Sequence, residues 1–172
     1  MNQEKGIKHS DYLKDVFSGG YESLRATVDI TKALAKLIKK DFSHVACTGV
    51  SGMSIAPCFA LEQQKGLIVI RKTRQNSHAE VEVEGCPYGM PFNYVIVDDF
   101  MCSGATVARI LENMNYMTRY ANCLGGIGYH YKEYHEFKQD FIENLPNDLE
   151  DSLSKFTDDY SKFTIKHELS SS

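Results

Sequence analysis

Two adjacent carboxylates, Asp98 and Asp99, close an apolar run, Tyr94-Val95-Ile96-Val97. Five short side chains follow soon after: Cys102, Ser103, Gly104, Ala105 and Thr106. Short side chains let backbone N–H groups approach a ligand closely. Where such a run opens a helix, its first amides and the positive end of the helix dipole favour an anion, most simply a phosphate. The hydroxyls of Ser103 and Thr106 add donors. The carboxylates upstream can accept hydrogen bonds from sugar hydroxyls or hold a hydrated cation. A ribose 5-phosphate presents both kinds of group, one at each end of the sugar. Taken singly, Asp98-Asp99 also fits a solvated strand terminus, and Ser103 and Thr106 also fit plain helix caps. Their combination is what points to a ligand.

Three further groups could join them. Thr48-Gly49-Val50-Ser51-Gly52 follows the strand-like His44-Val45-Ala46-Cys47. A Gly-rich strand-to-helix turn of this kind serves packing as readily as anion binding. Arg71-Lys72 follows the apolar run Leu67-Ile68-Val69-Ile70, with Arg74 and His78 a few residues on. Cations there would offset charge on a leaving anion, although Arg74 and His78 read equally well as solvated loop residues. Tyr129, His130 and Tyr131 can stack on or hydrogen-bond a ring, or simply pack.

The elements that must position these residues follow from periodicity. Leu24, Val28, Leu34, Leu37 and Ile38 predict a helix over 20–40, and 51–63 reads as a second. The runs 44–47, 67–70 and 94–97 read as strands, the last two buried on both faces. Ser103 would cap a helix burying Val107, Ile110, Leu111 and Met114. Residues 120–129 read as a further strand. The polar stretch 71–92 is long for a loop, and the alternation over 79–84 predicts an exposed strand or hairpin arm. Phe137, Phe141 and Leu145 predict one late helix. Leu149, Leu153, Phe156, Tyr160 and Phe163 predict another, whose stripe could also join two copies. Strands alternating with helices imply an α/β domain with a largely parallel central sheet flanked by helices. Ligands bind outside the carboxyl ends of such strands. Here those ends carry residues 47–52, 71–78 and 98–106.

The bulk properties narrow the function class. A chain of 172 residues suits one domain, and its 42% hydrophobic and 24% charged residues are those of a folded protein. A net charge of −4 argues against non-specific nucleic-acid binding, which needs a basic face. No apolar run reaches membrane-spanning length, and the N-terminal MNQEKGIKHSDYLKD lacks the apolar stretch of a signal peptide. Five cysteines without a CxxC pair fit reduced thiols in a cytoplasmic protein better than disulfides or zinc. There is no GxxxxGK[ST] loop and no GxGxxG after a strand.

The segment Val95 to Thr106, VIVDDFMCSGAT, resembles the phosphoribosyl pyrophosphate (PRPP) signature of the type I phosphoribosyltransferases. That signature runs four apolar residues, two acids, two apolar residues, then a small-residue loop ending in Thr. Ser103 stands where the family commonly has Thr. The resemblance implies that Asp98 and Asp99 hold the ribose 2′ and 3′ hydroxyls, and that residues 102–106 hold the 5′-phosphate. It implies backbone contact to pyrophosphate from residues 48–52. Arg71-Lys72 is similar to the pair found in orotate and adenine phosphoribosyltransferases, and the segment after it resembles their catalytic lid. His78 lies near where orotate enzymes carry a His followed by Gly, but Ala79 replaces that Gly.

The resemblance covers residues 45–130 and places the core at 20–130 of a single 1–172 domain. A small variable hood built from 1–19 and 127–165 would select the base, with Tyr129 and Tyr131 as candidate contacts. The implied activity moves the 5-phosphoribosyl group of PRPP to a nitrogenous base with release of pyrophosphate. Mg²⁺ would lie near Asp98 and Asp99, and the chain would form a homodimer. A non-catalytic PRPP- or nucleotide-binding regulator of the same fold is the alternative.

Overall fold

The apolar runs lie side by side. The computed structural model describes residues 13–71, 82–101, 104–138 and 160–169. It begins with a short helix, α1 (Lys14–Ser18), and a longer one, α2 (Gly20–Ala35). A mixed α/β core follows: β1 (His44–Thr48), α3 (Gly49–Glu62), β2 (Gly66–Ile70), β3 (Val83–Glu84), β4 (Phe92–Asp98), α4 (Ala105–Met117) and β5 (Ala121–Gly128). Two strands complete it, β6 (Glu133–Phe137) and β7 (Thr164–Glu168). All seven strands form one sheet in the order β3-β2-β1-β4-β5-β6-β7. The central four are parallel, and β3, β6 and β7 are antiparallel to their neighbours.

Alternation along the central strands divides the core in two. Val45, Cys47, Val95 and Val97 face α2 and α3 and meet Val28, Leu34, Ile55 and Phe59. Ala46, Tyr94 and Ile96 face α4 and meet Val107, Ile110, Leu111 and Met114. Helices on both faces bury both sides of these strands, which is why β4 reads as an unbroken apolar run, whereas β2, nearer the sheet edge, keeps Leu67 and Val69 only partly buried. The chain leaves β1 for β2 on one side and returns to β4 on the other. The carboxyl ends of β1 and β4 therefore flank a topological switch point, where this class of sheet opens a crevice.

Several boundaries differ from the periodicity. Helix α2 stops at Ala35 rather than residue 40, because Lys36, Leu37 and Ile38 turn inward on i→i−3 bonds to Ala33, Leu34 and Ala35. Phe137 lies in a strand, not a helix. Its ring fills the core on the α4 side, and β6 continues the sheet beyond β5. Of the last predicted helix, residues 160–163 are helical, with Tyr160 buried, and β7 follows at once. Phe141, Leu145, Leu149, Leu153 and Phe156 lie outside the described residues, as do 1–12 of the expected hood. Among the described residues no helix is long and apolar enough to cross a membrane.

Candidate functional site

Strand β4 ends at the acid pair. Asp98 is only 4% exposed, while Asp99 is partly open. The Asp98 carboxylate sits between two helix starts. The Ser51 hydroxyl, in the first turn of α3, donates to Asp98 Oδ1 at 2.7 Å. Thr106, in the first turn of α4, lies nearby, and its hydroxyl favours the ionised carboxylate. Burial pushes the Asp98 carboxyl up to about 6, with the charge of Asp99 adding to the rise and the two hydroxyls opposing it. Asp99 instead accepts from the Phe100 backbone N–H through Oδ1 at 2.9 Å. Nearby, burial raises the Cys47 thiol to about 12, and the Asp98 charge adds to that, so this sulfur stays protonated and unreactive.

Ser51 reaches Asp98 because Gly52 lets α3 descend onto the sheet. A Cβ at Gly52 would lie 2.9 Å from Cys47 Cβ and 3.0 Å from the Val97 carbonyl oxygen. Helix α4 starts just as abruptly. Its N-cap is Gly104 with φ 69°, a left-handed conformation that glycine adopts at little cost, so Ser103 is not the N-cap expected from the sequence. Gly104 is buried, and α4 begins directly after it. Met101 runs back over β5, where a Cβ at Gly126 would meet its Sδ at 2.6 Å. Those glycines in β5 make room for the turn that follows the acids.

The sequence candidates sort accordingly. Asp98, Asp99, Ser51, Gly52, Gly104, Ala105 and Thr106 come together at the ends of β1 and β4. Gly49-Val50-Ser51-Gly52 is not an open loop but the first turn of α3, with Gly49 at φ 66°. The Thr48 hydroxyl is buried in the sheet and donates to the Ile70 carbonyl at 2.7 Å, so any ligand contact from Thr48 falls to its backbone. Arg71 lies where β2 and β3 meet. Its N–H donates to the Glu82 carbonyl, and its guanidinium pairs with Glu84 at 2.9 Å, mostly in solvent. Lys72, Arg74, His78, Cys102 and Ser103 lie outside the described residues, as do 79–81 of the expected arm, whose described end is β3.

Tyr129 is a correction. It is 3% exposed, and its hydroxyl donates to the Ser51 carbonyl at 3.0 Å. It props α3 from below and offers no face to a ligand. Tyr131 does face out, at 55% exposure. It forms an aromatic group with His130, its neighbour among the sequence candidates, and with Phe100, which the sequence reading did not single out. Phe100 lies 4.9 Å from His130 and 5.0 Å from Tyr131, ring centre to ring centre, and His130 lies 5.3 Å from Tyr131. This group adjoins the acids directly, because the His130 N–H donates to the Asp99 carbonyl. The position of Phe100 immediately after the acid pair was the available signal. A surface cleft of about 570 Å³ between residues 86–89 and 115–120 lies at the opposite, amino end of the strands and contains none of these groups.

As for a metal, no group of three or more His, Cys, Asp or Glu side chains converges among the described residues. Among the described residues the strand end offers Asp98 and Asp99, and both already accept hydrogen bonds. A divalent ion here would need most of its oxygen ligands from a substrate and water, which suits Mg²⁺.

No protein-family model matches the sequence, and no curated protein matches it. Solved structures do match. The orotate phosphoribosyltransferase from Aeropyrum pernix superposes with a TM-score of 0.52 and 22% identity, over 71% of this chain and 67% of that one. The adenine phosphoribosyltransferase from Saccharomyces cerevisiae, solved with adenine and an imino-altritol bisphosphate, gives 0.51 and 19%, over 63% and 68%. The UMP synthase of Leishmania donovani gives 0.53 and 16%, over 86% of this chain but 32% of that one. The chain thus has the fold of the type I phosphoribosyltransferases and spans about one third of that UMP synthase.

Proposed function

We propose that this chain transfers the 5-phosphoribosyl group of PRPP to a nitrogenous base and releases pyrophosphate. One observation carries the reading: the buried Asp98 is held by the Ser51 hydroxyl at the switch point, with Thr106 and the amino end of α4 beside it. In this reading the acids and the helix start serve the two ends of one pentose phosphate. The fold shared with orotate and adenine phosphoribosyltransferases supports it.

In this reading Asp98 and Asp99 accept hydrogen bonds from the ribose hydroxyls. The amides opening α4 and the Thr106 hydroxyl receive the 5′-phosphate. Breaking the bond from C1 to pyrophosphate leaves an oxocarbenium-like sugar. The two carboxylates lie on the side where that positive charge develops and stabilise it. Ionised Asp98 does this better than its neutral form, so activity falls as pH drops below about 6. Arg71 releases an exposed pair with Glu84, which costs little, to meet the leaving pyrophosphate together with Lys72. Mg²⁺, bound through PRPP oxygens near Asp98 and Asp99, would neutralise phosphate charge. The acceptor base stacks on the aromatic group of Phe100, His130 and Tyr131.

The test is turnover of labelled PRPP with a panel of purine and pyrimidine bases, comparing the parent chain with the Asp98→Asn/Asp99→Asn double variant. Turnover by the parent alone, with both proteins folded, supports the reading. Full activity in the double variant overturns the site. PRPP binding without pyrophosphate release would identify a non-catalytic sensor instead.

A further inference from the structure

The cleft between residues 86–89 and 115–120 lies at the far end of α4 from the acid pair. Its volume, about 570 Å³, is that of a small-molecule site. Three tyrosines border it: Tyr88 is 86% exposed, Tyr116 91% and Tyr120 56%. Among the described residues their rings and hydroxyls have no hydrogen-bond or ring partner. Arg119 carries the one charge in the lining, and it forms no ion pair among the described residues. Large rings clustered in water on a protein surface mark a contact site.

The backbone of both walls is held firmly while these side chains stay open. On one wall Cys86 packs against the α4-side core. Beside it Gly85, at φ 78°, runs so close to β2 that a Cβ would strike the Leu67 carbonyl. Gly89, at φ 72°, turns the chain just after Tyr88. On the other wall the Tyr120 N–H donates to the Thr118 hydroxyl at 3.1 Å. The Tyr120 carbonyl accepts from the Phe92 N–H at 3.1 Å, which ties this wall to the start of β4. A ligand entering here finds the backbone already ordered, which lowers the cost of binding.

The lining chemistry selects the ligand. Tyrosine rings on both walls can take the faces of a flat ring by stacking. The carbonyls of residues 115–117 close α4 without amide partners among the described residues, and they can accept from N–H groups on such a ring. Arg119, with no acid in the lining, suits a single phosphate or carboxylate. We propose that this cleft is a second ligand site, taking a planar nitrogen heterocycle that carries one anionic group. A nucleoside monophosphate and a heterocyclic carboxylate share that chemistry. Each places its ring between Tyr88 and Tyr116, its N–H donors at the end of α4 and its anionic group on Arg119.

Two-dimensional NMR of the isotope-labelled full chain, titrated with AMP and separately with orotate, tests this. Backbone amides of residues 88–89 and 115–120 report on the cleft, and those of 104–108 on the acid-pair end of α4. The two sites therefore succeed or fail separately. AMP or orotate should shift the cleft amides saturably, and whichever binds more tightly identifies the source of the ligand. Adenine and uracil, which lack the anionic group, and inorganic phosphate, which lacks the ring, should bind there at least about tenfold more weakly. Arg119→Ala and Tyr116→Ala should each weaken cleft binding by at least about tenfold and leave the response of 104–108 as in the parent. Both side chains are exposed, so circular dichroism should show the parent fold. No saturable shift at the cleft with either ligand overturns the proposal. So does inorganic phosphate binding there as tightly as AMP and orotate, or cleft binding that survives both substitutions.

Discussion

The Ser51 hydroxyl donates to Asp98 Oδ1 at 2.7 Å, joining the first turn of α3 to the last residue of β4 across the switch point of the sheet. With Thr106 on the opposite side, it leaves the carboxylate bonded but almost wholly out of water. A buried charge of this kind lowers stability, and its neighbours only partly offset the loss. Three consequences can be measured.

The first concerns Asp98 and pH. In the unfolded chain this carboxyl ionises near 3.8, and in the folded protein at about 6. Between those values the folded state holds a proton that the unfolded state has released. Stability therefore falls as pH rises through that window and stays lower above it. The full cost is at most about 3 kcal/mol. Asp98→Asn removes the charge and keeps an acceptor oxygen. It should be more stable than the parent by about 1–3 kcal/mol at pH 7.5, and no more stable near pH 3.5. Urea unfolding at the two pH values measures this. An equal or less stable variant at pH 7.5 would mean that Asp98 is not held against its own ionisation.

The second concerns Gly52. A methyl group there meets the Cys47 Cβ and the Val97 carbonyl oxygen, neither of which is the free end of a side chain. Gly52→Ala should lift α3 and cost about 1–3 kcal/mol in urea unfolding. It should also draw Ser51 away from Asp98, so PRPP-dependent turnover should fall even at temperatures where the variant remains folded. Full turnover would mean that the Ser51–Asp98 contact is dispensable.

The third separates two tyrosines two residues apart. Tyr131→Ala removes an exposed ring beside Phe100 and His130, and should raise the KM for the base by about tenfold while leaving that for PRPP unchanged. Tyr129→Phe deletes the hydroxyl that holds the Ser51 carbonyl and should cost about 1 kcal/mol of stability without a comparable rise in the KM for the base. Steady-state kinetics together with thermal melts distinguish them, and reversed roles would refute the aromatic platform.

Local pattern alone determined much of this protein. Unbroken apolar runs located β2 and β4, helical spacing located the buried face of α4, and the acids marked the carboxyl end of β4. These features are written within a dozen neighbouring residues, which is the range over which periodicity operates. Tertiary structure decided the remainder. Ser51 and Asp98 are 47 residues apart, and they meet only because parallel pairing of β1 with β4 and the close seat of Gly52 bring two helix starts to one crevice. Whether a tyrosine beyond β5 points inward, like Tyr129, or outward, like Tyr131, depends on strand register and on what packs beneath it. β7 escaped the sequence because its alternation is short and follows directly on helical residues 160–163. It becomes a strand only where β6 supplies the backbone partners that a single segment cannot provide for itself.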